Sequence, residues 1–169
     1  MPKSVRVGVL VNPTNAATAE ANLREVREAA PALGLQIQVV NASTIGEINA
    51  AFAALARERA DALFVGGDAF FTSRRVQLAT LAARDRIPAA SAEREFPVAG
   101  GLMSYGTELK DAFRQVGVYT GNILKGAKPA ELPVQQAIKF DFVINRGTAM
   151  VIGLDVPPTL LALATEVIE

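Results

Sequence analysis

Asn12, Thr14 and Asn15 stand together in "VGVLVNPTNA", where an apolar run stops at Asn12-Pro13 and small polar residues follow. Side-chain amides and a hydroxyl at the start of a helix suit an anionic or carboxylate-bearing group. The first N–H groups of a helix lack partners within it and carry partial positive charge. Pro13 and Thr14 serve equally well as a simple turn and cap, and the stretch has none of the glycines of a phosphate cradle, which argues against a nucleotide. Gly66-Gly67-Asp68 is the second candidate: two residues without side chains let backbone and ligand approach closely before a carboxylate that can accept from an ammonium or amide. Asp68 is also suited to capping the next helix, and the two roles coexist. Tyr105, between Ser104 and Gly106, fits stacking on a ligand and packing into a core equally well. Glu93, Arg94 and Glu95 read as a solvated charged loop.

Much chemistry is excluded by residue type. The chain has no cysteine and no histidine. Disulfides, thiol nucleophiles, thiolate or imidazole zinc sites and histidine-based triads are therefore out. No acid and base pair stands out, so catalysis is not expected, and no cofactor is implied. Lys+Arg and Asp+Glu are both 17, leaving no basic surplus to attract nucleic acid. No window approaches the ~20 apolar residues of a membrane span, and the short apolar start does not make a signal-peptide core.

The elements that must position these residues follow from periodicity. The 169 residues suffice for one ordinary domain. Val5 to Val11 is a β-branched run predicting a strand buried on both faces. Residues 15 to 33 then carry apolar side chains at helical spacing and close on Gly34. A strand over 35 to 40 follows, then a helix opened by the capping box Thr44-Ile45-Gly46-Glu47 and carrying Ile48, Ala51, Phe52 and Leu55 on one face. Ala62 to Val65 reads as a third strand, Ser73 to Arg84 as a helix, and "RIPAAS" and "GGLMSYG" as short strands. A helix over Glu108 to Lys125, a proline-rich linker, a strand in "KFDFVIN" and a last helix in "DVPPTLLALATEVIE" complete the chain. Strand and helix alternate with short connections, which predicts an α/β fold: an open parallel sheet with helices on both faces. Ligands of such sheets bind beyond the carboxyl ends of the strands, which selects the loops bearing Asn12, Asp68, Ser91 to Glu95 and Tyr105.

The strings "NAST", "RADAL", "GGLMSYG", "ILKGAKPAELPVQQ" and "VPPTLLA" lie along nearly the whole chain. On them it resembles ABC-transporter substrate-binding proteins of the tryptophan- and tyrosine-binding type, similar to type I periplasmic binding proteins. Those have two flavodoxin-like lobes that close on a small ligand. The resemblance implies a non-catalytic solute-binding component of an importer, taking a small polar or amino-acid-like ligand and serving an ABC permease. It implies that this chain is the C-terminal lobe, with residues 1-106 and 139-169 forming the α/β unit and 107-138 a crossover helix and linker that packs on a first lobe absent here. Asn12 and Thr14 match a loop facing the cleft, Asp68 the carboxylate after the third strand, and Tyr105 the crossing between lobes. Around "AASAEREF" the chain departs from the family, which carries bulkier residues at Ala90, Ser91 or Ala92.

The resemblance implies a periplasmic location. With no signal peptide in the sequence as given, the chain taken alone is expected to stay in the cytoplasm. Without a first lobe, Leu109, Phe113, Val116 and Ile123 have nothing to bury against. At ~1.5 to 3 kcal/mol per side chain this is of order 6 to 12 kcal/mol, comparable to a domain's stability. A homodimer through helix 108-125 is the expected remedy. Two other readings stay open: a stand-alone flavodoxin-like cofactor-binding or enzymatic domain, and a truncated remnant without binding activity.

Overall fold

The computed structural model describes residues 5–134 and 139–169. The chain starts as β1 (Arg6–Val11), α1 (Ala16–Ala29), β2 (Gln36–Asn41), α2 (Ile45–Arg57) and β3 (Ala62–Val65). It continues through α3 (Ala69–Ser73), α4 (Arg75–Arg84), β4 (Ala89–Ser91), α5 (Glu95–Val98), β5 (Met103–Thr107) and α6 (Leu109–Leu124). The last elements are β6 (Phe140–Asn145), α7 (Arg146–Ile152), α8 (Pro158–Leu163) and β7 (Glu166–Ile168).

The strands form one 7-stranded sheet in the order β2-β1-β3-β4-β5-β6-β7. All neighbours are parallel except β5 and β6, which run antiparallel with Tyr105 opposite Phe142 and Thr107 opposite Phe140. This is the α/β open sheet predicted. Successive side chains of β1 point to opposite faces. Val9 and Val11 pack under Ala19, Leu23 and Val26 of α1, while Leu10 joins the larger core of Ile48, Phe52, Leu55, Leu63, Val65, Leu78 and Phe96. Gly8 admits that second layer, since a Cβ there would lie 2.3 Å from Leu55 Cδ2.

Several elements differ from the periodicity reading. The helix predicted over Ser73 to Arg84 appears as α4, starting at Arg75, and is preceded by a short α3 capped by Asp68 that periodicity does not show. The final helix stops at Leu163, and Glu166–Ile168 pairs with Val143–Asn145, because Val167 and Ile168 find an open strand edge. In the capping box, the Thr44 hydroxyl accepts from Glu47 N as predicted, and the Glu47 carboxylate reaches back to accept from Ser43 N and Oγ. Glu93–Glu95 is less free than a solvated loop, since Arg94 forms an ion pair with Glu166 of β7.

Among the described residues, two apolar surfaces have no cover. On the face that carries α1, a trough of ≈ 570 Å³ lies over Val7, Phe64, Ala90, Met103 and Phe142, walled by Leu33 and Leu35 on one side and Leu154 to Leu160 on the other. The helical layer on that face has a gap there. The second surface is α6 itself, of which only Asp111 is buried. Phe113 is 71% exposed and Leu124 83%, with Leu109, Val116 and Ile123 exposed beside them.

Candidate functional site

The carboxyl ends of β1 and β3 lie side by side because Leu10 pairs with Val65. The residues that follow each strand therefore meet. Asn12 is 8% exposed, and its Nδ2 donates to Asp68 Oδ1 at 3.0 Å. Its Oδ1 accepts from Thr14 N at 3.1 Å and Thr14 Oγ1 at 2.7 Å, which folds the Asn-Pro-Thr turn onto its own side chain. Asn15 Nδ2 donates to Asp68 Oδ2 at 3.0 Å, and Phe70 N donates to Asp68 Oδ1 at 2.9 Å, making Asp68 the N-cap of α3. Asn12, Thr14 and Asp68 thus form one junction. Asn15 completes it, a residue the sequence suggested only as a loop amide or a cap.

Close packing holds the junction. A Cβ on Gly66 would lie 3.0 Å from Leu10 O and 3.2 Å from Asn22 Nδ2, so Gly66 lets β3 turn beside α1. Burial pushes the Asp68 carboxyl up, but the amides of Asn12 and Asn15 and the backbone N–H groups at the start of α3 outweigh it and hold it below its ordinary value. Asp68 is ionised at neutral pH. Asn15 sits at the N-cap of α1 yet makes no side-chain cap bond, since its amide is turned to Asp68. The first N–H groups of α1 are left for another acceptor. A fixed anion and an uncapped helix start, with Thr14 exposed in the same turn, can hold the ammonium and the carboxylate of one zwitterion.

Tyr105 is elsewhere. It lies on β5, three strands from β1, about 14 Å away at ~4.8 Å per strand. It is 60% exposed and stacks on Phe140 with ring centroids 5.5 Å apart and planes 2° off parallel, with Phe142 edge-on at 6.0 Å. It is neither core nor part of the Asn12–Asp68 junction; the antiparallel pairing of β5 and β6 puts these rings together. A charged opening of ≈ 420 Å³ lies nearby, lined by Glu93, Arg94, Glu108, Lys110, Asp141 and Glu166. Among the described residues no group of acidic side chains is placed to hold a metal ion. Nor is any helix among them long and apolar enough to cross a membrane.

A sequence model of the family described as "ABC transporter substrate binding protein" matches residues 1–168. No curated protein matches. Among solved structures, a conserved domain protein of Vibrio cholerae is 27% identical with a TM-score of 0.84, covering 99% of this chain and 56% of its own. The ABC domain of Streptococcus pneumonia in complex with L-Trp is 24% identical with a TM-score of 0.87, with the same coverage of 99% and 56%. A substrate binding protein with adhesive properties from Clostridium difficile, in a ligand-free, open structure, is 21% identical with a TM-score of 0.76, covering 99% and 55%. The last two share the fold. The chain thus spans a little over half the length of each of these structures.

Proposed function

The chain belongs to the ABC transporter substrate binding protein family, and from that premise we propose that it is the C-terminal lobe of a solute-binding component of an importer. It works outside the cytoplasmic membrane, is non-catalytic, and delivers a small amino-acid-like ligand to an ABC permease. The observation that carries the reading is the Asp68 carboxylate fixed by Asn12 and Asn15 beside the uncapped start of α1. Asp68 Oδ2 and the Thr14 hydroxyl take the ligand's ammonium, and the first turn of α1 takes its carboxylate. The neighbour complexed with L-Trp makes that amino acid the first ligand to try. Residues 107-138 form the crossover segment of the two-lobed arrangement, and Tyr105 lies at its root, lining the hinge side of the cleft. In isolation this chain pairs with a second copy through helix 108-125, which removes the exposed face of α6 from water.

One wall of a cleft offers part of the contacts, so the affinity expected of this chain alone is weak, in the millimolar range or about −4 kcal/mol. Amide chemical shifts read during titration with L-tryptophan test it. Perturbation at Asn12, Thr14, Asn15, Ala16 and Asp68, reduced for tryptamine, which lacks the carboxylate, and for indole-3-propionate, which lacks the amine, is the expected result. Shifts confined to residues away from these loops overturn the assignment.

A further inference from the structure

We infer that the small pocket between α3, α4 and the loop after β4 receives the side chain of the bound solute, and that this solute is an amino acid whose side chain ends in a carboxamide. This rests on the reading of the strand-end loops proposed above and names the class of amino acid they serve.

Position comes first. Val65 and Ser91 are register partners at the carboxyl ends of β3 and β4. Asp68 and Glu93 lie just beyond them, so the pocket opens about one strand spacing, ~4.8 Å, from the Asn12–Asp68 junction. Gly66 and Phe71 border both. The pocket is built wholly by this chain, with Thr72 and Arg75 on one side, Ser91 and Glu93 on the other, and Phe71 and Phe96 beneath. Its interior of ≈ 10 Å³ holds a single water-sized group. An aromatic ring stays outside. An amino acid held by its ammonium at Asp68 and by its carboxylate at α1 reaches the rim with a short chain of carbon–carbon bonds, each ~1.5 Å.

Polarity then selects the group. Arg75 Nη1 donates to Thr72 O at 3.0 Å, which fixes the guanidinium at the rim and leaves it further N–H groups to give. Ser91 Oγ accepts from Glu93 N at 3.2 Å, which sets the turn that carries the Glu93 carboxylate and leaves the Ser91 O–H to donate. A cation and an anion on one rim work against a singly charged side chain, since one of them repels it. An apolar side chain strips water from both and returns no hydrogen bond. A carboxamide suits both, its oxygen accepting from Arg75 and Ser91 and its NH₂ donating to Glu93. The sheet beneath is also polar, where strands buried on both faces are ordinarily apolar. Ser91 is 5% exposed, and Ser104, its register partner on β5, is 1% exposed with no hydrogen-bond partner for its hydroxyl among the described residues. Two hydroxyls buried side by side within this chain call for a polar neighbour.

The chain is titrated in turn with L-glutamine, L-norleucine, L-lysine, L-glutamate and L-tryptophan while its amide chemical shifts are read. L-Glutamine is expected to move Ser91 and Glu93 together with Asn12, Thr14, Asn15 and Asp68. It should bind at least about tenfold more tightly than L-norleucine, the effect of one hydrogen bond to a charged group. An Arg75→Met chain that keeps the parent's amide spectrum should lose most of that preference while binding L-norleucine as before; an unchanged preference overturns the part given to Arg75. L-Norleucine, L-tryptophan, L-lysine or L-glutamate binding as tightly as L-glutamine, with shifts at Asn12 and Asp68, overturns the carboxamide assignment and leaves the strand-end loops as the ligand site. No shift at those loops with any of these amino acids overturns the loops as the site, and the pocket's role with them.

Discussion

Asn12 Nδ2 reaches Asp68 Oδ1 across 3.0 Å although 56 residues separate them in the chain. The bond exists because β1 and β3 are neighbours, and Asn12 also closes its own turn through Thr14. Replacing Asn12 by Ala removes a buried amide whose partners then lose a donor and an acceptor. The expected loss is about 1–3 kcal/mol in urea unfolding. Asn12→Asp should be worse at pH 7 and should recover on acidification. Two facing carboxylates raise the pKa of one of them, so the native state binds more protons than the unfolded chain and stability rises as pH falls towards about 5. An Asn12→Asp chain equally unstable at pH 5 and pH 7 would contradict this.

The parent chain should show the opposite sign. Asp68 is held below its ordinary carboxyl value, so its contribution is fully present above the unfolded value of ~3.9 and is lost as pH falls through the lower folded value. Thermal unfolding should be insensitive to Asp68 between about pH 5 and 8. An Asp68→Asn chain, which keeps a capping oxygen for α3, should lose less stability than the parent below pH 4. Equal acid sensitivity of the two chains would show that Asp68 is not perturbed in the way described.

Gly106→Ala should be damaging although Gly106 has an ordinary backbone. A Cβ there would stand 2.0 Å from Ala92 O and 2.9 Å from Ala92 C, backbone atoms that cannot swing aside. A loss of about 1–3 kcal/mol is expected from the forced shift, and chemical denaturation measures it. A neutral result would mean that the loop after β4 packs less closely on β5.

Glu166→Gln breaks the ion pair with Arg94, yet both side chains are near 40% exposed, at 39% and 41%. The expected cost is at most about 1 kcal/mol and should vanish in 1 M salt. A larger, salt-independent loss would assign β7 a greater share of the fold's stability than its short length suggests.

How far the sequence carried depends on whether a feature is local. The strand Ala62–Val65, the cap at Thr44 and the apolar face of α2 are written in neighbouring residues and appear as read. Asn12, Thr14 and Asp68 were singled out by residue type at strand ends, which the sheet then brings together. Their mutual bonds were not legible, since only the order of β1 and β3 creates them. β7 was missed for the same reason: "TEVIE" continues a helical stretch by spacing, and only the free edge of β6 makes it a strand. Tyr105 is open in the sequence between ligand and core; the structure excludes the core, and its stacking on Phe140 was not legible because that partner arrives after the long excursion of α6.

Thr107 and Phe140 face each other as register partners. The chain therefore leaves the sheet after Thr107 and re-enters it at Phe140 at a single point, the tip of a β-hairpin. A tight Asn-Gly turn joining those two strands would close the same sheet without them. The junction of Asn12 and Asp68, three strands away, is topologically independent of everything between those two residues. The Asn12–Asp68 junction and the insertion that carries α6 are thus separable parts, free to change independently.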